Sequence, residues 1–139
     1  GSKLGVLVEI NCETDFVART EGFQDFSRDI AMHIAATSPL AVKREEIAEE
    51  VVLKEKEIYK EQSLQSGKPA DIVERMVEGR LNKFYQENVL LEQTFVKDPN
   101  QTIENLLNDT ISTLGENIEI KRFSRFQLGE LFKKQEDSE

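Results

Sequence analysis

Apolar residues fall at every second position at the start of the chain. Leu4, Val6, Val8, Ile10 and Cys12 share one side, and Glu9 and Asn11 lie on the other with Leu7. Period two with β-branched residues predicts a strand over Leu4–Cys12. The period then changes. Phe16, Phe23, Phe26, Ile30 and Ile34 follow at spacings of seven, three, four and four, the stripe of an amphipathic helix. Thr14 suits the N-cap and Asp15 suits the positive end of the helix dipole. Gly22 is a candidate interruption early in this helix, and Ser38-Pro39 is its stop.

The next stretch is rich in Glu and Lys. A helix is expected from Arg44 to Gln65, with Ile47, Val51 and Ile58 on its apolar side and Val52 and Tyr59 beside them. Ser66-Gly67-Lys68-Pro69 reads as a turn, because Gly suits the position after a helix and Pro the first position of the next. A helix over Pro69–Asn88 follows, with Val73, Met76, Val77, Leu81 and Phe84 inward. Together these predict a charged antiparallel helical hairpin. After the apolar end Val89–Gln93, the segment FVKDPNQ reads as a loop. Thr102 is placed to cap a further helix carrying Ile103, Leu106, Leu107, Ile111 and Leu114, and Gly115 to stop it. Asn117–Leu128 reads as the last strand. Ile118, Ile120, Phe126 and Leu128 alternate on one face while Phe123 is out of phase, the mark of a bulge or of a strand covered on both sides. The charged tail, residues 131–139, is expected to fray.

These elements give an α+β class: a small antiparallel sheet packed against helices, with a charged helical hairpin. Two strands make a poor sheet. A third is expected either in the middle of the chain or upstream of its start. The second is favoured, because Leu4 already looks mid-strand. Gly1-Ser2 reads as an expression remnant, which leaves room for a native chain that begins earlier.

Composition narrows the function. The chain has 139 residues, enough for one domain that needs no disulfide or metal staple. With 27 acidic and 18 basic residues and a net charge of −9, most of its surface repels a phosphate backbone, so direct nucleic-acid binding is not expected. One cysteine and one histidine argue for a reducing compartment and against a zinc site. Phosphate-cradling patterns such as G-x-x-x-x-G-K-S/T and G-x-G-x-x-G are absent, as is the G-x-S-x-G elbow. No metal or cofactor is expected. Cys12 and His33 are the pair that would serve a nucleophilic enzyme, but a buried structural role for both is favoured. Glu45-Glu46 and Glu49-Glu50 read as a solvated helix face before a cation site. Lys121, Arg122 and Arg125 with Phe123 form the basic-aromatic cluster, open to RNA contact or to protection of a sheet edge.

The remaining feature is Asp15-Phe16. Periodicity favours Phe16 in the core and Asp15 as a first-turn acid, paired with Arg19 at i+4. A first-turn residue is also the one best able to leave the core, so spacing alone leaves both open. The wording of the segments goes further. GVLVEINCETDFVAR (Gly5–Arg19), FQDFSRDIAMHIAATSP (Phe23–Pro39), GKPADIVERMVEGRLNKFYQENVLLEQTFVKDP (Gly67–Pro99) and LGENIEIKRFSRFQLGE (Leu114–Glu130) resemble the elongation factor Ts family in content and order. The likeness is strongest to short bacterial, cyanobacterial or plastid members, with one core module over residues 1–130.

The resemblance implies a guanine-nucleotide exchange factor for elongation factor Tu, in bacterial cytoplasm or plastid stroma. It places Asp15 and Phe16 at a helix tip that enters the partner's nucleotide-binding domain near magnesium and phosphate, with Thr14 and Val17 holding the tip in shape. Members also carry an N-terminal helical module and a strand beside the one at Gly5–Cys12, which these residues do not supply. A free sheet edge is therefore expected, with a homodimer as one way to complete it. Ribosome association is compatible with the resemblance. Two other classes stay open at this point: a non-catalytic scaffold of the translation machinery, and an enzyme built on Cys12 and His33.

Overall fold

In the computed structural model, residues 1–130 are described, and the tail expected at 131–139 lies outside the described residues. The elements, in order, are β1 (Leu4–Cys12), α1 (Asp15–Ala18), α2 (Glu21–Thr37), α3 (Glu49–Leu64), α4 (Ala70–Asn88), β2 (Thr94–Phe95), β3 (Asp98–Thr102), α5 (Ile103–Leu114) and β4 (Ile118–Gln127). The class is α+β, with a small antiparallel sheet packed against helices. The chain divides into two compact units, one formed by Gly1–Ser38 with the chain from Phe95 onward, the other by Pro39–Thr94.

In the first unit β1 pairs with β4, antiparallel, from Leu4 opposite Gln127 to Cys12 opposite Ile118. Glu9 faces Arg122 while Ile10 faces Ile120, so Lys121 is the extra residue of a bulge. This accounts for Phe123 and corrects the single apolar face expected of the last strand. Before the bulge, Ile118 and Ile120 are buried; beyond it the phase flips, leaving Phe126 68% and Leu128 76% exposed. Helix α2 packs on β1, and α5 packs on α2 and β4. Phe23, Phe26, Ile30, Ile34, Ile103, Ile118 and Ile120 form the buried interior.

The long first helix expected from periodicity is two helices. Thr20 has extended backbone and starts α2 as its own N-cap, its hydroxyl accepting from the Phe23 amide. Gly22 does not interrupt α2 but sits in its first turn. A Cβ there would come within 3.2 Å of Leu114 Cδ2, so Gly permits the close approach of α2 and α5. At the other end Ser38 takes a left-handed φ of 48° and closes α2 before Pro39. Gly115, with φ 75°, ends α5 as expected.

The loop expected in FVKDPNQ is instead a second two-stranded sheet of β2 and β3. Phe95 is buried against the ring of His33, and the Val96 amide donates to His33 Nδ1 at 3.3 Å. Pro99 hid this strand, since Pro weakens a strand reading.

In the second unit α3 and α4 make the expected hairpin, turned by Gly67 at φ 70°. The first helix of the pair starts later than expected. Arg44–Glu46 is a single 3-10 turn, and Ile47 is buried in extended backbone. With Ile47 outside the helix, the inward stripe shifts to Val52, Tyr59 and Ser63, while Val51 and Ile58 are exposed. Ala41, Ile47, Phe84 and Val89 form this unit's core, flanked by Val52, Tyr59, Leu81 and Tyr85. Arg44 fixes its base: its Nε and Nη2 donate to the Glu92 carboxylate, at 2.8 and 2.6 Å, and the guanidinium lies 4.3 Å from the Tyr85 ring centroid. That pairing raises the Arg44 pKa further.

Candidate functional site: a pinned helix tip

Helix α1 has four residues, Asp15–Ala18. So short a helix has no stability of its own, because nucleation costs more than one turn returns. Its geometry must come from outside, and Thr14 supplies the link. Every polar atom of this N-cap is engaged. Its amide donates to Glu116 Oε1 at 3.0 Å and its hydroxyl to Glu116 Oε2 at 2.6 Å. The same hydroxyl oxygen accepts from the Val17 amide at 3.4 Å. The carbonyl accepts from the Ala18 amide at 3.2 Å and from the Cys12 thiol at 3.2 Å.

Two further ties complete the frame. Glu13 Oε2 accepts from the Asn117 amide at 3.0 Å, so the junction is crossed in both directions. The Thr20 hydroxyl donates to the Val17 carbonyl at 2.6 Å and closes the far end.

The helix turns Val17 and Ala18 partly inward and leaves Asp15 and Phe16 outside. Phe16 is 85% exposed. This corrects the core placement that periodicity favoured: the break at Thr20 takes Phe16 off the α2 stripe. The expected Asp15–Arg19 ion pair is also not formed among the described residues; the Arg19 amide donates to the Asp15 carbonyl instead. The four residues expected from the resemblance, Thr14, Asp15, Phe16 and Val17, are thus together, one capping, two presented and one anchoring.

The other candidates are engaged elsewhere. Cys12 is half-buried, not buried as expected, and bonds the Thr14 carbonyl, whereas His33 is fully buried with its Nδ1 on a backbone amide. In the basic cluster Arg122 pairs with Glu9 at 3.1 Å and Lys121 lies 3.8 Å from Glu119. Arg125 lies on the inward face and donates to the Ala35 carbonyl at 3.1 and 3.3 Å. It thereby satisfies a carbonyl in the last turn of α2. Among the described residues no group of three or more His, Cys, Asp or Glu could hold a metal ion. Glu116 was not singled out by sequence. Its partner lies 102 positions away, beyond any local pattern, and its one visible signal was the GEN of the LGENIEI segment.

Fold and tip define a class: a small α+β domain that presents a carboxylate and an aromatic ring on a pinned helix end. Within that class the comparisons are specific. A sequence model of the family described as Elongation factor TS matches residues 1–130. Elongation factor Ts of Geotalea daltonii is 60% identical over 136 residues, covering 98% of this chain and 63% of that protein. The same-named protein of Carboxydothermus hydrogenoformans is 59% identical over 138 residues, covering 99% and 64%. That of Caldanaerobacter subterraneus is 55% identical over 130 residues, covering 94% and 65%. The chain belongs to the elongation factor Ts family. It spans less than two thirds of the length of these curated relatives.

Proposed function

We propose that this chain is a guanine-nucleotide exchange factor for elongation factor Tu, with the Asp15-Phe16 tip as its working part. The observation that carries the reading is the exposure of Phe16, 85%, on a helix end whose backbone is fixed. The ring gives the fold little, and its fixed helix end sets it where a partner can cover it. Family membership supplies the partner.

The mechanism follows from how such nucleotides are held. Backbone donors, a lysine and magnesium grip the phosphates of GDP. Phe16 entering beside that site displaces the elements that position the metal, and Asp15 brings negative charge toward the phosphate loop. Thr14 and Val17 hold the tip. Binding energy from other surfaces offsets the distortion. Reciprocity follows: if the factor weakens GDP, GDP weakens the factor by the same ratio. The chain therefore acts on its partner's site and carries no reaction of its own.

The same reading takes residues 1–130 as the core module and 131–139 as a charged extension. It includes a homodimer, supported by a sheet with two strands among the described residues and by Leu7, Phe126 and Leu128 lying exposed. Light scattering that finds monomer throughout the micromolar range would remove that part. A bacterial cytoplasmic setting is supported by the bacterial source of the relatives; a plastid stroma remains part of the reading.

The test is release of fluorescent GDP from elongation factor Tu into excess unlabelled GDP. The chain should accelerate release, and the Asp15→Ala, Phe16→Ala double variant should not. Acceleration that survives the double change would move the activity to another surface. A folded chain with no effect would point instead to a scaffold module.

A further inference from the structure

We infer that Glu116 is a positioning residue for exchange: its carboxylate holds Thr14, and through Thr14 the orientation of Asp15 and Phe16. The inference rests on the exchange reading above and adds a residue to it. Glu116 follows Gly115, whose φ of 75° turns the chain out of α5 and delivers the carboxylate to the end of β1. Both of its oxygens are used on one residue, the amide and the hydroxyl of Thr14.

The hydroxyl contact has a second effect. By accepting the hydroxyl's hydrogen bond, Glu116 turns a lone pair of Thr14 Oγ toward the Val17 amide, which is the capping bond that defines α1. Without the carboxylate the hydroxyl is free to rotate and to donate elsewhere. Both hydrogen bonds of the Glu116 carboxylate go to Thr14, so its effect on a partner passes through α1.

The consequence is a population effect. A four-residue helix without its external tie spends most of its time unwound, and only the wound fraction presents Asp15 and Phe16 together. With the partner already held by the factor's other surfaces, acceleration falls by the wound fraction. Loss of two charge-assisted hydrogen bonds, on partly exposed groups, corresponds to a drop of about tenfold or more.

The experiment uses the full chain and a double-mutant cycle. GDP release from elongation factor Tu is measured at saturating factor for the chain, Glu116→Ala, Phe16→Ala and the pair. Glu116→Ala should lower the maximal acceleration about tenfold or more, and should add nothing once Phe16 is gone. Glu119→Ala serves as the control for loss of a nearby carboxylate: it removes a group that lies 3.8 Å from Lys121 but leaves both Thr14 contacts, and should stay within about twofold of the parent. Hydrogen exchange adds a reading independent of the partner. The Val17 and Ala18 amides should exchange faster in Glu116→Ala by a similar factor, while Ile30, buried inside α2, keeps its protection.

The outcomes separate the two ideas. If Phe16→Ala leaves release unchanged, the wedge reading fails. If Phe16→Ala abolishes acceleration while Glu116→Ala does not reduce it, or if the two effects simply add, the positioning role is overturned. Uniform loss of protection in Glu116→Ala, Ile30 included, would make Glu116 a fold residue and overturn it as well.

Discussion

Phe16→Ala should leave the fold nearly as stable as the parent, whereas Phe26→Ala should weaken it by several kcal/mol. Both residues sit on the same apolar stripe when the sequence is read at helical period, so the comparison isolates what the structure adds. Phe26 is 4% exposed and Phe16 is 85% exposed. A phenylalanine buries about 200 Å² when fully enclosed, so folding takes only about 30 Å² of Phe16 from water. At about 25 cal/mol per Å² that is below about 1 kcal/mol. Truncating an enclosed phenylalanine costs about 3–5 kcal/mol, because a cavity is added to the lost transfer energy. Both positions lie in one unit, so a single unfolding transition reports on both. Urea unfolding followed by far-ultraviolet circular dichroism gives the difference directly, with m compared to check that the unfolded state has not changed. A loss of 2 kcal/mol or more in Phe16→Ala would show that the ring is packed and that the tip is not presented.

The remaining predictions concern single groups. Ser63 is 1% exposed on the inner face of α3, and its hydroxyl has no hydrogen-bond partner among the described residues. Ser63→Ala removes an unmet buried group and improves helix propensity, so thermal unfolding should shift upward by up to about 1 kcal/mol equivalent; a clear loss would mean that the hydroxyl has a partner. The Glu9 carboxyl is held below the ordinary glutamate range, first by the Asn11 side-chain amide and then by Arg122. A folded-state pKa below the unfolded one contributes stability that is present above the unfolded value and fades as pH falls through the folded one. Side-chain NMR titration should therefore place Glu9 low in the parent and higher in both Asn11→Ala and Arg122→Ala; an unchanged midpoint in Asn11→Ala would refute the assignment.

Much of the architecture was legible because its signals are local. Alternation marked Leu4–Cys12, Thr102 and Gly115 bracketed α5, and Gly67-Lys68-Pro69 marked the hairpin turn. Phe123 announced a bulge by falling out of phase. What the sequence misplaced depended on longer contacts or on competing local rules. Ile47 looked like the first apolar position of a helix, but burial in extended backbone moved the helix start to Glu49 and rotated the inward stripe. The β2–β3 hairpin was hidden by Pro99 and by the brevity of Thr94–Phe95. The α1–α2 break was the most consequential miss. Its cue is Thr20, which has the same relation to Phe23 that Thr14 has to Val17, a hydroxyl three positions before the amide that it caps. Two such caps six positions apart mark two helix starts, and a continuous hydrophobic stripe conceals them.

That break also explains why the tip needs a distant residue. A presented ring cannot share the stripe that packs α2 onto the sheet, so it needs a helix of its own with its own cap. A helix that short cannot meet the cost of its own nucleus. The missing order must be imported from structure that is already stable, and the junction where β1 leaves the sheet and β4 enters it is such a place. Cys12 pairs with Ile118 at the end of the ladder, so Thr14 and Glu116 are brought together by strand pairing that the rest of the unit has already stabilised. On the exchange reading, the TDFV and GEN segments are two halves of one device: the first would carry the groups shown to a partner, the second the carboxylate that fixes Thr14. Neither half would be expected to work when grafted alone, because α1 without Glu116 has no fixed direction and Glu116 without Thr14 has nothing to hold.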